Sequence, residues 1–192
     1  MNFPFSKFLV MKVLSVNVGL PRLVEYQGEP IATGIFKEPV VGQVKVGEFN
    51  LEGDRQADLR VHGGYYKAVY IYPSEHYEFW KRELPGMDLP FGIFGENLTT
   101  TGLTEENVFI GDRLRIGTAE FVVTQPRQPC FKLGIRFGRV DIIKRFAKSG
   151  RSGFYLAIEK PGELAAGDAI KVLVREQNEI SIADIVRKKF NL

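Results

Sequence analysis

Glycine punctuation constrains this chain more than any other feature. Twenty glycines are spread along 192 residues, and they break the apolar sequence into runs of strand length. Met11–Val18 alternates and opens as a strand. Val40–Val46 is another, with Gly42 and Gly47 as its punctuation, and Ala68–Tyr72 is a short run of β-formers. Arg113–Ile116 and Ala119–Thr124 flank Gly117-Thr118 as a hairpin. Gly153–Ile158 and Ala169–Val174 are late strands separated by Gly167-Asp168. Helical patterns are fewer. Ser74 caps a helix whose face carries Tyr77, Trp80, Lys81 and Leu84, and Pro85-Gly86 stops it. Arg139–Lys148 has helical spacing, and Ser181–Phe190, capped by Ser181, is a terminal helix. No βαβ alternation is read. The pattern predicts a mainly β fold: a β-barrel or tightly curled sheet with peripheral helices and a short C-terminal helix.

The length suits one domain over about 11–175, with 176–192 as a short helical extension. A hydrophobic content of 44% and a charged content of 26% are ordinary for a globular protein. No apolar stretch approaches membrane-helix length. The start lacks a basic leader, so with one cysteine the expected location is the cytoplasm and no membrane partner is expected. The net charge of +3 is scattered without a dense basic block, which argues against nucleic acid as a partner.

The single cysteine, Cys130, lies in Gln125-Pro-Arg-Gln-Pro-Cys-Phe-Lys-Leu133. It has no partner for an internal disulfide. Arg127, Lys132 and Arg136 surround it in sequence, and positive charge favours a thiolate, the form that binds metals and attacks electrophiles. The competing reading is a buried cysteine acting as a small hydrophobe.

A second cluster, Glu52-Gly-Asp-Arg-Gln-Ala-Asp-Leu-Arg-Val-His-Gly-Gly64, is too polar to serve a core. His62 can exchange a proton near neutral pH, and Gly63 and Gly64 allow close backbone approach to a ligand. A solvated turn is the alternative. The third cluster, Phe91-Gly-Ile-Phe-Gly-Glu-Asn-Leu-Thr-Thr100, offers Glu96 as a base or as a loop-holding carboxylate, and Asn97 as donor and acceptor. His76 reads as a packing or capping residue. Zinc-ligand spacing, a Walker loop, a dinucleotide fingerprint and a nucleophile elbow are all missing from the sequence.

Taken in order, these motifs resemble the MOSC domain, and its YiiM-like subfamily in particular. The resemblance runs through Glu52–Asp58, His62-Gly-Gly64, Lys67-Ala-Val-Tyr70, Tyr72-Pro-Ser-Glu-His-Tyr77 and Trp80. It continues through Gly92-Ile-Phe-Gly-Glu-Asn-Leu98, Ile110-Gly-Asp-Arg113, Pro126-Arg-Gln-Pro-Cys130, Gly153-Phe-Tyr-Leu156 and Gly167-Asp168. It departs at Tyr66, where relatives carry an acid, and in its short C-terminal extension.

The resemblance implies a molybdenum-pyranopterin cofactor with Cys130 as the metal's protein ligand. It implies reduction of N-hydroxylated compounds, hydroxylaminopurines among them, to amines, a detoxifying reaction, and no pyridoxal phosphate. Under it His62 and Glu96 are the candidate proton-transfer residues, with Glu52 a weaker one. Lys37 and Arg127 are candidates for the cofactor's phosphate, and Asn97, Gly63 and Gly64 for its pterin edges. Electrons would come from a separate, flavin-type reductase, since an iron–sulfur cluster needs more cysteines. A homodimer is compatible. The rival readings are a non-catalytic carrier of the cofactor or of sulfur, and a nucleic-acid-binding barrel.

Overall fold

A computed structural model describes residues 10–57, 63–176 and 180–192. The chain forms β1 (Lys12–Val18), β2 (Arg22–Tyr26), β3 (Glu29–Thr33), β4 (Glu38–Val40) and β5 (Val44–Val46). It continues with β6 (Val69–Pro73), α1 (Glu75–Glu83), β7 (Leu98–Thr101), β8 (Arg113–Ile116), β9 (Ala119–Pro126), α2 (Phe131–Phe137) and α3 (Ile142–Ser149). It ends with β10 (Phe154–Lys160), β11 (Gly162–Leu164), β12 (Ile170–Val174) and α4 (Ile182–Phe190). Eight strands form one mixed sheet in the order β12-β8-β9-β10-β6-β7-β1-β4. The mainly β expectation holds. The sheet is an open ladder rather than a closed barrel, although a bridge from Lys12 to Ala169 ties β1 to the approach of β12.

β6 explains the layering. All five of its residues are buried, and side chains alternate between faces along a strand. Val69 and Ile71 enter the core inside the curled sheet, which also takes Ile182 and Val186 of α4. Tyr70 and Tyr72 face a second core with Tyr77, Trp80 and Phe94, together with Leu133, Phe137 and Phe146 from α2 and α3. The indole N–H of Trp80 donates to the Tyr72 hydroxyl at 2.6 Å, so this aromatic core also satisfies its polar atoms.

Several local expectations change. β6 and β7 pair in parallel across α1, so the chain does contain one βαβ crossover; the loop from 84 to 97 obscured it. Val40–Val46 is two strands, because Gly42 turns the chain at φ 89° and sends β4 and β5 to different sheets. Ser74 makes no side-chain capping bond to α1, whereas Ser181 and Asp184 form a reciprocal capping box on α4. α3 starts three residues later than the spacing suggested, after Gly138 ends α2 in the left-handed region. α2 and the β2–β3 hairpin had no clear signal. That hairpin turns through Gln27-Gly28, both at positive φ, and its strands form a two-stranded sheet of their own among the described residues.

Candidate active site

An open cleft of about 650 Å³ lies where β6, β9 and β10 meet the segments 33–37, 55–57 and 127–132. Its floor is aromatic and cationic. Tyr70 of β6 and Tyr155 of β10 sit opposite one another in the ladder, ring centroids 5.3 Å apart. The Arg127 guanidinium lies over the Tyr70 ring at 4.7 Å, and its Nη1 donates to the Tyr70 hydroxyl at 3.3 Å. Arg127 is only 5% exposed, and among the described residues no carboxylate forms an ion pair with it. Burial works against its charge, yet Tyr70, Tyr155 and Cys130 hold its pKa above the ordinary value. Burial raises the Tyr70 and Tyr155 phenols, which stay neutral, and the Tyr70 hydroxyl donates to the Ser152 carbonyl at 2.8 Å. A buried cation with no carboxylate ion pair among the described residues faces an open cleft, and such a charge ordinarily calls for a counterion.

A second cation stands on the same cleft. The Lys37 ammonium donates to Asp54 Oδ1, and both residues are buried. Burial lowers the Lys37 pKa, with the Asp54 charge and hydrogen bond opposing that trend and Arg127 adding to it. Asp54 is itself fixed: Oδ1 also accepts from Gly19 N at 3.0 Å and Oδ2 accepts from Asn97 Nδ2 at 2.9 Å. Asn97 Oδ1 accepts the Tyr70 backbone N–H at 3.0 Å. One carboxylate and one amide thus lock segments 17–19, 37, 54, 70 and 97 around the cleft.

Glu96 holds the loop behind Asn97. Its carboxylate accepts from the Tyr77 hydroxyl, from Gly92 N at 2.8 Å, from Phe94 N at 3.1 Å and from Thr99 Oγ1 at 2.9 Å. Burial raises its pKa against these bonds. It does not line the cleft, and its four hydrogen bonds fit the loop-holding alternative that the sequence left open beside the base.

Cys130 is half-buried, lines the cleft and stands at the N-cap of α2. Arg55, Lys67 and Lys132 line the cleft as well. Glycine sets the wall spacing. A Cβ on Gly34 would lie 2.4 Å from the Arg55 carbonyl oxygen, and one on Gly63, at φ 95°, would lie 3.0 Å from the Gln56 side chain.

The structure therefore gathers Cys130, Arg127, Lys37, Asn97 and Gly63 on one cleft. Gly64 sits beside it and accepts from Lys67 N at 3.1 Å, closing a helical turn over Tyr65–Lys67. Glu52 is exposed in a turn away from the lining. His62 lies outside the described residues. His76 pairs with Glu105 at 2.7 Å in the packed interior, as a packing role requires. Sequence reasoning missed Asp54, Tyr70 and Tyr155. Asp54 was visible in the polar 52–64 cluster, but Tyr70 and Tyr155 look like ordinary strand aromatics until the ladder sets them side by side.

The MOSC domain family matches residues 58–171. This chain belongs to the MOSC domain family. It is 46% identical to the uncharacterized protein YflK of Bacillus subtilis over 170 residues, covering 88% of this chain and 76% of that one. Identity to protein YiiM of Escherichia coli is 41% over 160 residues, covering 82% and 70%. A protein of Gibberella moniliformis named reductase is 37% identical over 178 residues, which span 91% of this chain but 31% of that protein. The crystal structure of YiiM from Geobacillus stearothermophilus superposes with a TM-score of 0.78 at 35% identity, covering 94% of this chain and 84% of that one. Within the family the chain is YiiM-like. MOSC domains are associated in general with molybdenum-cofactor binding. No helix among the described residues is long and apolar enough to cross a membrane.

Proposed function

We propose that this MOSC protein is a molybdenum-cofactor-dependent reductase of N-hydroxylated compounds, hydroxylaminopurines and related hydroxylamines among them. The observation that carries the reading is Arg127, a buried guanidinium that faces the cleft with no carboxylate ion pair among the described residues. The residues present fit a pyranopterin. Arg127 and Lys37 suit its phosphate, since a guanidinium and an ammonium on one wall complement an oxyanion. Asn97, Gly63 and Gly64 suit the polar pterin edge, and Cys130 offers a soft thiolate to molybdenum. When bound, the cofactor supplies the two-electron redox chemistry. The net reaction is R–NHOH + 2 e⁻ + 2 H⁺ → R–NH₂ + H₂O.

The chain's own residues orient, screen and supply protons. The Tyr70 and Tyr155 rings form a neutral aromatic floor, with the Tyr70 hydroxyl donating to the Ser152 carbonyl, and Asp54 opposes the burial that lowers the Lys37 pKa. His62 is the proposed proton relay, and Glu96 positions Asn97 from behind. Electrons come from a separate flavin-type reductase, and the location is the cytoplasm.

The test is molybdenum and pterin content of protein made in a cofactor-competent host, beside Cys130→Ala, followed by hydroxylamine turnover with an artificial donor. Stoichiometric molybdenum lost in the variant, with turnover in the parent, is expected. Equal molybdenum in both removes Cys130 as ligand. Bound molybdenum without turnover returns the protein to the carrier reading.

A further inference from the structure

The cleft floor and the buried His76–Glu105 pair meet at one short segment, Ser152-Gly153. On the cleft side the Tyr70 hydroxyl donates to the Ser152 carbonyl at 2.8 Å, and the Arg127 backbone N–H donates to the Gly153 carbonyl at 3.3 Å. The same Tyr70 hydroxyl accepts from Arg127 Nη1 at 3.3 Å, so both the backbone and the guanidinium of Arg127 refer to this segment. From the other direction Glu105 Oε1 accepts the Gly153 N–H at 2.6 Å, and Glu105 Oε2 pairs with His76 Nε2 at 2.7 Å. Glu105 and Ser152 are both buried, so these bonds are made away from water.

The segment depends on that carboxylate. The pairing of β10 with β6 starts only at Phe154, so the Gly153 N–H takes its acceptor from a side chain instead of the ladder. An ionised acceptor makes the stronger bond. Gly153 is also pressed against β6: it sits at φ 61°, and a Cβ there would lie 2.3 Å from the Ile71 carbonyl oxygen and 2.8 Å from the Tyr70 ring. A small movement of this segment is therefore felt directly by Tyr70. His76 orients the carboxylate, and its ring stands edge-on to Tyr72 at 5.3 Å. Neither His76 nor Glu105 lines the cleft. Both line a second cavity of about 790 Å³, together with Lys148, Arg151 and Arg187.

Building on the anion-holding role of Arg127, we infer that Glu105 and His76 are positioning residues for the cleft: through Ser152-Gly153 they hold the Arg127 guanidinium and the Tyr70 hydroxyl in place for a phosphate. Without His76 the carboxylate is free to turn away from the Gly153 N–H, and Arg127 and Tyr70 lose their common reference. Groups that orient a binding residue from behind ordinarily change what it binds by about 10- to 100-fold.

The experiment uses the full-length protein without cofactor and inorganic phosphate as probe. The guanidinium nitrogen NMR signal of Arg127, identified by its loss in Arg127→Gln, reports the position of that side chain without any ligand. His76→Ala should weaken phosphate binding about tenfold and shift or broaden the Arg127 signal. Imidazole, entering by the second cavity, should restore both. Glu105→Gln keeps an acceptor for the Gly153 N–H and should stay nearer the parent than Glu105→Leu. Ile116→Val loosens the other core without touching this network and should leave signal and affinity at parent values. An Arg127 signal and a phosphate affinity unchanged in the folded His76 and Glu105 variants overturn the positioning role, and so does a change that Ile116→Val reproduces. An Arg127 signal that moves in His76→Ala and returns with imidazole, beside phosphate binding that Arg127→Gln leaves intact, upholds the positioning of Arg127 and overturns its anion-holding role.

Discussion

Lys37 and Asp54 form a buried ion pair, and the Asp54 carboxylate carries on to Gly19 N and Asn97 Nδ2. The pair therefore fixes three loops as well as a charge. Lys37→Met should cost about 3 kcal/mol because it strands a buried carboxylate, and Asp54→Asn about as much because it strands a buried ammonium. Lys37→Met/Asp54→Asn should cost clearly less than the sum. Denaturant unfolding of all four proteins checks this; strict additivity would mean the two groups do not act as a pair.

Arg127 separates stability from ligand retention. With no ion pair to a carboxylate among the described residues, its burial costs the cofactor-free protein energy. Arg127→Gln should leave cofactor-free stability within about 1 kcal/mol, while retained pterin phosphate falls at least about tenfold. Thermal melts beside quantified pterin release decide it. Undiminished retention would remove the anion-holding role.

Glu105 makes stability depend on pH. Burial opposes its ionisation, but the His76 hydrogen bond and charge and the Gly153 N–H hold its pKa below the ordinary 4.5. A depressed carboxyl pKa contributes stability at pH values above 4.5, and that stability is lost as pH falls through the lower folded value. Glu105→Gln should thus be less stable than the parent by about 3 kcal/mol near neutral pH. The gap should shrink as pH falls below 4.5. Melting temperatures of both proteins across that range are the measurement, and a gap independent of pH would contradict the pairing.

Gly34 marks the closest approach of two cleft walls. Because its Cβ would meet the Arg55 carbonyl oxygen at 2.4 Å, Gly34→Ala must push segments 34–37 and 55–57 apart. The expected cost is about 2 kcal/mol, with loss of bound cofactor out of proportion to the loss of stability. Retained cofactor with a normal melt would show that the walls yield easily.

Much of the fold was legible in local sequence. β1, β6 and β8, the hairpin into β9, and the helix capped by Ser181 follow from alternation, glycine turns and capping chemistry. The parallel β6–β7 pairing was not, because it depends on a contact across α1 and a long loop rather than on any neighbouring residue. The same distinction divides the cleft. Cys130, Arg127, Lys37 and Asn97 were found as unusual residue types inside ordered motifs, while Tyr70 and Tyr155 carry no such mark.

By itself the sequence determined the strand-rich character, the family and the chemical kinds of side chain available, since these reside in residue identity and spacing. Only the tertiary structure decided which of them face one cleft. It turned Glu96 inward to satisfy four donors, and it paired His76 with Glu105. It also left Arg127 buried beside aromatic rings with no carboxylate ion pair among the described residues. Burial and counterion placement arise from contacts between distant segments, and those contacts set what each charge can do.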